Sequence, residues 1–194
     1  MVYHEHLYYF TVRTLIDFFQ RRGMRVFHIE RVASQGGSLR AYVTADPGRF
    51  REASVDLQYS LSPETTELTD EYMAFARRVR ENRKDLRKFL KTARAEGKRV
   101  VGYTAPAKAT TILNYCKATR NDIEYVVDDS PLKQGKFIPG TGIPIVSPES
   151  LERLPPDYVL VFSWNLANEI VNKFRSLKVQ GVRFFVAIPE VMEI

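Results

Sequence analysis

From residue 99 onward, short apolar runs alternate with segments whose apolar residues recur at a helical period. That alternation narrows the fold more than any other feature of the chain. Residues 99–103, 123–128, 158–162 and 183–188 are rich in Val, Ile, Tyr and Phe, as strands covered on both faces require. Residues 106–118, 148–154 and 166–177 read as helices, and 143–146 as a short extended piece between irregular stretches. Strands alternating with helices predict an α/β fold, a Rossmann-like and mainly parallel sheet flanked by helices.

The preceding residues cannot form a comparable unit. Thr11 can cap a helix whose apolar positions Val12, Leu15, Ile16, Phe18 and Phe19 share one stripe, and Gly23 can end it. Residues 24–31 and 39–44 read as strands joined by Gln35-Gly36-Gly37-Ser38. Helix, strand, loop, strand is too small for a core of its own and reads as the closing piece of a larger sheet. After the turn at Asp46-Pro47-Gly48 comes a short extended piece at 56–61, then a helix over 69–96. Its apolar face is Tyr72, Phe75, Ala76, Val79, Leu86, Phe89, Leu90 and Ala93, and Gly97 ends it. At 1.5 Å per residue it spans roughly 40 Å, a length suited to a connector. The expected division is 1–46, 47–98 and 99–194.

Composition enters by exclusion. A single cysteine, Cys116, leaves no disulfide framework and no multi-cysteine metal site. No apolar run approaches the roughly 18 residues of a membrane span, and residues 1–6 lack the features of a secretory signal. The expected location is cytoplasmic, without a membrane partner. The net charge of +6 is concentrated in the basic segment from Arg77 to Arg99. It suits a phosphate or nucleic-acid surface, but the interspersed acids fit the solvated face of a long helix better. No nucleic-acid module signature is present, and the balance still suits an anionic small substrate.

In open α/β sheets, ligands bind at the carboxyl ends of strands where the strand order reverses. Here that is Gly102-Tyr103-Thr104-Ala105-Pro106-Ala107-Lys108, where Gly102 would permit a tight turn and Lys108 adds charge to a helix N-terminus. A structural turn with a surface lysine explains the same residues. Asp128 and Asp129 follow the next strand, where an acid can hold a ribose hydroxyl or simply belong to a polar loop. Trp164 could wall a pocket, and Asn165 could cap the helix after it. His4-Glu5-His6 is the densest titratable cluster; two histidines support a metal site poorly. A general base and a bland surface pair are the readings left open.

These pieces occur together, and in order, in one family. Tyr3-His4-Glu5-His6-Leu7-Tyr8-Tyr9-Phe10, Gly36-Gly37-Ser38-Leu39-Arg40 and Gly102-Tyr103 with Ala105-Pro106-Ala107-Lys108 resemble motifs of bacterial sugar C-methyltransferases. So do Leu113-Asn114-Tyr115-Cys116, Lys133-Gln134-Gly135, Pro139-Gly140-Thr141 and Trp164-Asn165-Leu166. The resemblance runs from Tyr3 to about Pro189. It implies that residues 1–46 are the terminal strands of a truncated methyltransferase domain, followed by the connector and a C-terminal Rossmann-like domain. It also implies S-adenosylmethionine as donor in the full-length enzyme and zinc in a missing N-terminal domain.

The implied reaction is methyl transfer to a carbon beside the ketone of a nucleotide-linked deoxysugar. By this resemblance His6 is the base, with Glu5 and Tyr3 as its neighbours. Gly102, Lys108, Asn114, Lys133, Trp164 and Asn165 are the candidate substrate-binding residues. The donor's glycine-rich loop is absent from this sequence, so the chain alone is expected to be inactive. The alternative is a separate sugar-nucleotide-binding or interaction module that works with a partner chain. Thr104 and Ala109 stand where the family usually has glycine, which puts close backbone approach by a phosphate in doubt.

Overall fold

A computed structural model of the chain describes residues 7–33, 37–46, 48 and 65–194. Two compact units divide it, one containing Ala76–Ile194 and the other ending at Phe75.

In the second unit, α1 (Val12–Gln20) starts where Thr11 and Thr14 form a reciprocal capping box. It packs on an antiparallel pair, β1 (Arg25–Val32) and β2 (Ser38–Thr44). Among the described residues of this unit Val12, Val26 and Ile29 are buried, with Ile16, Phe19, Ala41 and Val43 around them. The extended piece expected at 56–61 lies outside the described residues.

The helix α2 (Thr65–Ala95) begins earlier than its periodicity indicated and ends at Gly97 as expected. Gly97 sits at φ +68°, the Gly97 amide donates to Arg94 O at 3.1 Å, and the Lys98 amide donates to Ala93 O at 2.8 Å. That Schellman arrangement satisfies two terminal carbonyls. Leu86, Leu90 and Ala93 are buried. Tyr72 and Phe75, expected on the apolar face, are exposed.

The first unit is a six-stranded sheet. In chain order it comprises β3 (Val100–Tyr103), α3 (Ala107–Cys116), β4 (Val126–Val127), β5 (Ile145–Val146), α4 (Glu149–Arg153) and β6 (Tyr158–Val161). Then come a 3₁₀ turn (Trp164–Leu166), α5 (Ala167–Lys173), α6 (Arg175–Val179), β7 (Arg183–Val186) and β8 (Met192–Glu193). The strand order is β5-β4-β3-β6-β7-β8, all pairs parallel except β7 with β8. This is the α/β, mainly parallel arrangement the alternation predicts.

Strand alternation separates two cores. Val100, Val126, Leu160 and Phe162 meet Leu86, Leu90, Ala109 and Leu113 on one face. On the other, Val101, Tyr103, Val159 and Val161 meet Leu151, Ile170, Phe174 and Leu177. Two details differ from expectation. The helix over 166–177 is broken at Phe174 (φ −107°, ψ 30°), whose buried ring lies edge-on to Tyr103 at 5.0 Å. Tertiary packing overrides the continuous helical pattern there. β8 is two residues long, too short to carry a period, and its Glu193 is paired with Arg183.

Candidate functional site at the reversal of strand order

β3 leads to β4 and then β5 on one side, while β6 returns beside β3 on the other. The loops after β3 and β6 therefore diverge at the carboxyl edge of the sheet, and this is where α/β folds bind ligands.

Two features build the β3 loop. The Thr104 amide donates to Val127 O at 2.7 Å and the Ala105 amide to Asp128 Oδ2 at 2.7 Å. Between these bonds Thr104 is held at φ +68°. A β-branched residue in that region costs about 1–3 kcal/mol. Its hydroxyl lies 2.9 Å from Ser163 Oγ at the end of β6. The loop then enters α3, whose first residue follows Pro106 and whose N-terminus no side chain caps.

Lys108 and Asn165 join the same two loops. Lys108 Nζ donates to Asn165 Oδ1 at 2.9 Å and lies 4.7 Å from the centre of the Trp164 ring. Both partners are neutral, and burial pushes the Lys108 ammonium below its usual pKa. Lys108, Trp164 and Asn165 are thus brought together.

Gly102, Asn114 and Lys133, also proposed from the sequence, have structural partners. Gly102 is buried within β3, where a Cβ would come within 2.6 Å of the Phe162 ring and 2.8 Å of Val126. It is a packing glycine, not the turn glycine of a ligand loop. Asn114 Nδ2 donates to Thr110 O at 2.8 Å and Pro139 O at 2.9 Å, tying the turn at Gly140 to α3. Lys133 Nζ is paired with Asp128 Oδ2 at 3.0 Å. Tyr3, Glu5 and His6 lie outside the described residues.

Asp128 is buried, and its carboxylate is taken up internally. Oδ1 accepts from the Ser130 amide at 2.9 Å, and Oδ2 from Ala105 and Lys133. A ribose hydroxyl would have to displace these bonds. With a side chain at Thr104 in the β3 loop and both Asp128 oxygens already accepting internal bonds, this edge lacks the open backbone and free acid that suit S-adenosylmethionine. Among the described residues no group of three His, Cys, Asp or Glu could hold a metal ion, and no helix is long and apolar enough to cross a membrane.

A second polar cluster lies beside the loops and was not anticipated. Tyr103 OH donates to Asp129 Oδ2 at 2.8 Å and accepts from Lys173 Nζ at 2.9 Å, while Lys173 Nζ also donates to Asp129 Oδ1 at 2.7 Å. Burial pushes the Tyr103 phenol up. Burial would raise the Asp129 carboxyl too, but the Lys173 and Tyr103 hydrogen bonds outweigh it and hold it low. Lys173 and Asp129 lie 44 positions apart, so no local pattern could reveal the pair.

A concavity of about 370 Å³ lies elsewhere, at the amino ends of β6 and β7, lined partly by Phe89, Tyr158, Arg183 and Phe185. Arg183 there is paired with Glu193, and Lys88 shares the lining with the acids Asp85 and Glu96.

Comparison with known proteins agrees with the sequence resemblance. A family model described as the C-methyltransferase C-terminal domain matches residues 33–189. The C-methyltransferase NovU of Streptomyces niveus is 34% identical over 191 residues, covering 97% of this chain and 46% of that protein. The chain spans less than half the length of this curated relative.

Proposed function

We propose a function from one premise: the chain belongs to the C-methyltransferase family, of which it is a C-terminal portion. Its part in the complete enzyme is to hold a nucleotide-linked keto-deoxysugar at the reversal of strand order. The observation that carries this reading is Lys108. A cation whose partners are both neutral stands at an uncapped helix N-terminus, between diverging loops, beside an indole face. Such a place favours an anion, and phosphate is the anion of a nucleotide sugar. Trp164 offers an apolar wall and Asn165 a hydrogen-bonding amide.

The methyl group is supplied by S-adenosylmethionine, bound outside this domain. Any zinc of the complete enzyme is assigned to no residue of this chain. The chemical work proposed for the chain's own side chains is removal of the proton beside the sugar ketone. His6 takes it, with Glu5 and Tyr3 orienting the imidazole or contacting the sugar, by their match to the family motif.

The complete enzyme tests both assignments. Lys108→Ala should raise KM for the nucleotide sugar about tenfold and leave kcat nearly unchanged, as loss of ground-state binding requires. His6→Ala should slow turnover by about 10²–10⁴-fold and slow proton–deuterium exchange at the acidic carbon with it. Unchanged KM in the first variant would remove the anion site. Exchange at the parent rate in the second would remove His6 as base.

A further inference from the structure

Among the described residues only Thr104 and Lys117 are non-glycine residues with positive φ. Lys117 is explained locally. It ends α3, and the Lys117 and Ala118 amides close the helix onto Asn114 O and Leu113 O at 3.0 and 2.9 Å. Thr104 ends no helix. The Thr104 amide's bond to Val127 O and the Ala105 amide's bond to the Asp128 carboxylate flank its conformation, which glycine adopts without cost and a β-branched residue resists. What threonine adds there is a hydroxyl, and that hydroxyl bridges to Ser163 across the two diverging loops.

Both side chains are half-buried at the open edge of the sheet. Two hydroxyls carry two O–H donors, and their mutual bond uses one, leaving one donor and several lone pairs. The same two loops are joined by Lys108 and Asn165. A hydroxyl pair and an ammonium therefore share one seam between the β3 and β6 loops.

We propose that Thr104 is a specificity-determining residue of this site, its hydroxyl and that of Ser163 acting with Lys108 to recognise the diphosphate of a nucleoside diphosphate. The proposal rests on the reading of this edge as the nucleotide-sugar site. The side chain closes off direct approach of phosphate to the backbone of the loop and substitutes a hydroxyl donor for it.

The 194-residue chain, labelled with ¹⁵N, should be titrated with uridine diphosphate, thymidine diphosphate and pyrophosphate while its amide spectrum is followed. The parent should show shifts concentrated at residues 104–108 and 163–166. Thr104→Gly should keep its melting temperature within about 2 °C of the parent, since relief of the positive φ offsets the lost hydroxyl bond. Its Kd should nevertheless rise about 5- to 10-fold. Thr104→Ser, which keeps the hydroxyl, should bind within about twofold of the parent.

Equal affinity in Thr104→Gly and the parent would overturn the proposal while leaving the site in place. So would a large fall in melting temperature in Thr104→Gly with affinity unchanged, which would mark the hydroxyl as purely structural. A parent spectrum without shifts at these loops, for all three probes, would overturn the site reading and the proposal together.

Discussion

At the residue scale, charge at the sheet edge is mostly cancelled in pairs. Lys133 is paired with Asp128 and Lys173 with Asp129, whereas Lys108 meets only neutral groups. The Asp129 pair has a consequence for pH. Its carboxyl lies below the usual value in the folded chain, so folding favours the anion. That contribution is present above the ordinary carboxylate range, about pH 4, and is lost as pH falls through the lowered folded value. Asp129→Asn removes it. The gap in stability between parent and variant should be constant from pH 7 to about pH 5 and close below about pH 4 in thermal melts. Since the Asp129 side chain is 55% exposed, solvent screening limits the gap to about 1 kcal/mol or less. A gap as wide at pH 3 as at pH 7 would show that its carboxylate contributes nothing. Cys116 is a contrasting case: burial pushes its thiol up to about 11, which leaves it protonated and chemically inert.

At the element scale, the C-terminal part of α2 belongs to the domain and is more than a connector. Leu86 is fully buried among residues of the sheet and α3. Asn82 Nδ2 donates to Ala187 O at 2.5 Å and to Pro189 O at 3.1 Å, where β7 ends. Arg87 donates to Cys116 O at 2.9 Å, satisfying a terminal carbonyl of α3 and placing a cation at the negative end of that helix. Leu86→Ala should therefore cost about 2–5 kcal/mol in urea denaturation of the chain, from lost transfer energy and an unfilled cavity. A cost below about 1 kcal/mol would show that the helix is merely attached. The basic residues from Arg77 to Arg94 lie mainly on the exposed side of α2.

At the scale of the whole molecule, the chain covers 46% of the relative it matches, and the proposed site at its sheet edge sets Lys108 among neutral groups. Thr104 places a side chain in the loop where a donor would need open backbone, and both Asp128 carboxylate oxygens already accept internal bonds. Isothermal titration of the chain with S-adenosylmethionine should therefore show no binding tighter than about 1 mM. Micromolar binding would assign the donor to this domain and displace the nucleotide sugar from the reading given above.

Much of the architecture is legible in the sequence because it follows from local period and burial. Val100, Val101 and Tyr103, and Val159, Leu160 and Val161, read as strands covered on both faces, and Gly97 marks the end of α2. The linked motifs carry the family as well. The site was only partly legible. Lys108, Trp164 and Asn165 stand on the loops that the α/β rule selects, but their mutual contact arises because β6 returns beside β3. Gly102 and Asp128 have the residue types expected of a nucleotide loop, yet packing gives Gly102 to the core and hydrogen bonding gives Asp128 to the loop backbone. The Thr104–Ser163 and Lys173–Asp129 contacts join residues 59 and 44 positions apart. Residue type and spacing fix what a segment can do locally. Which polar groups remain free for a ligand is decided only when distant segments meet and use up one another's donors and acceptors.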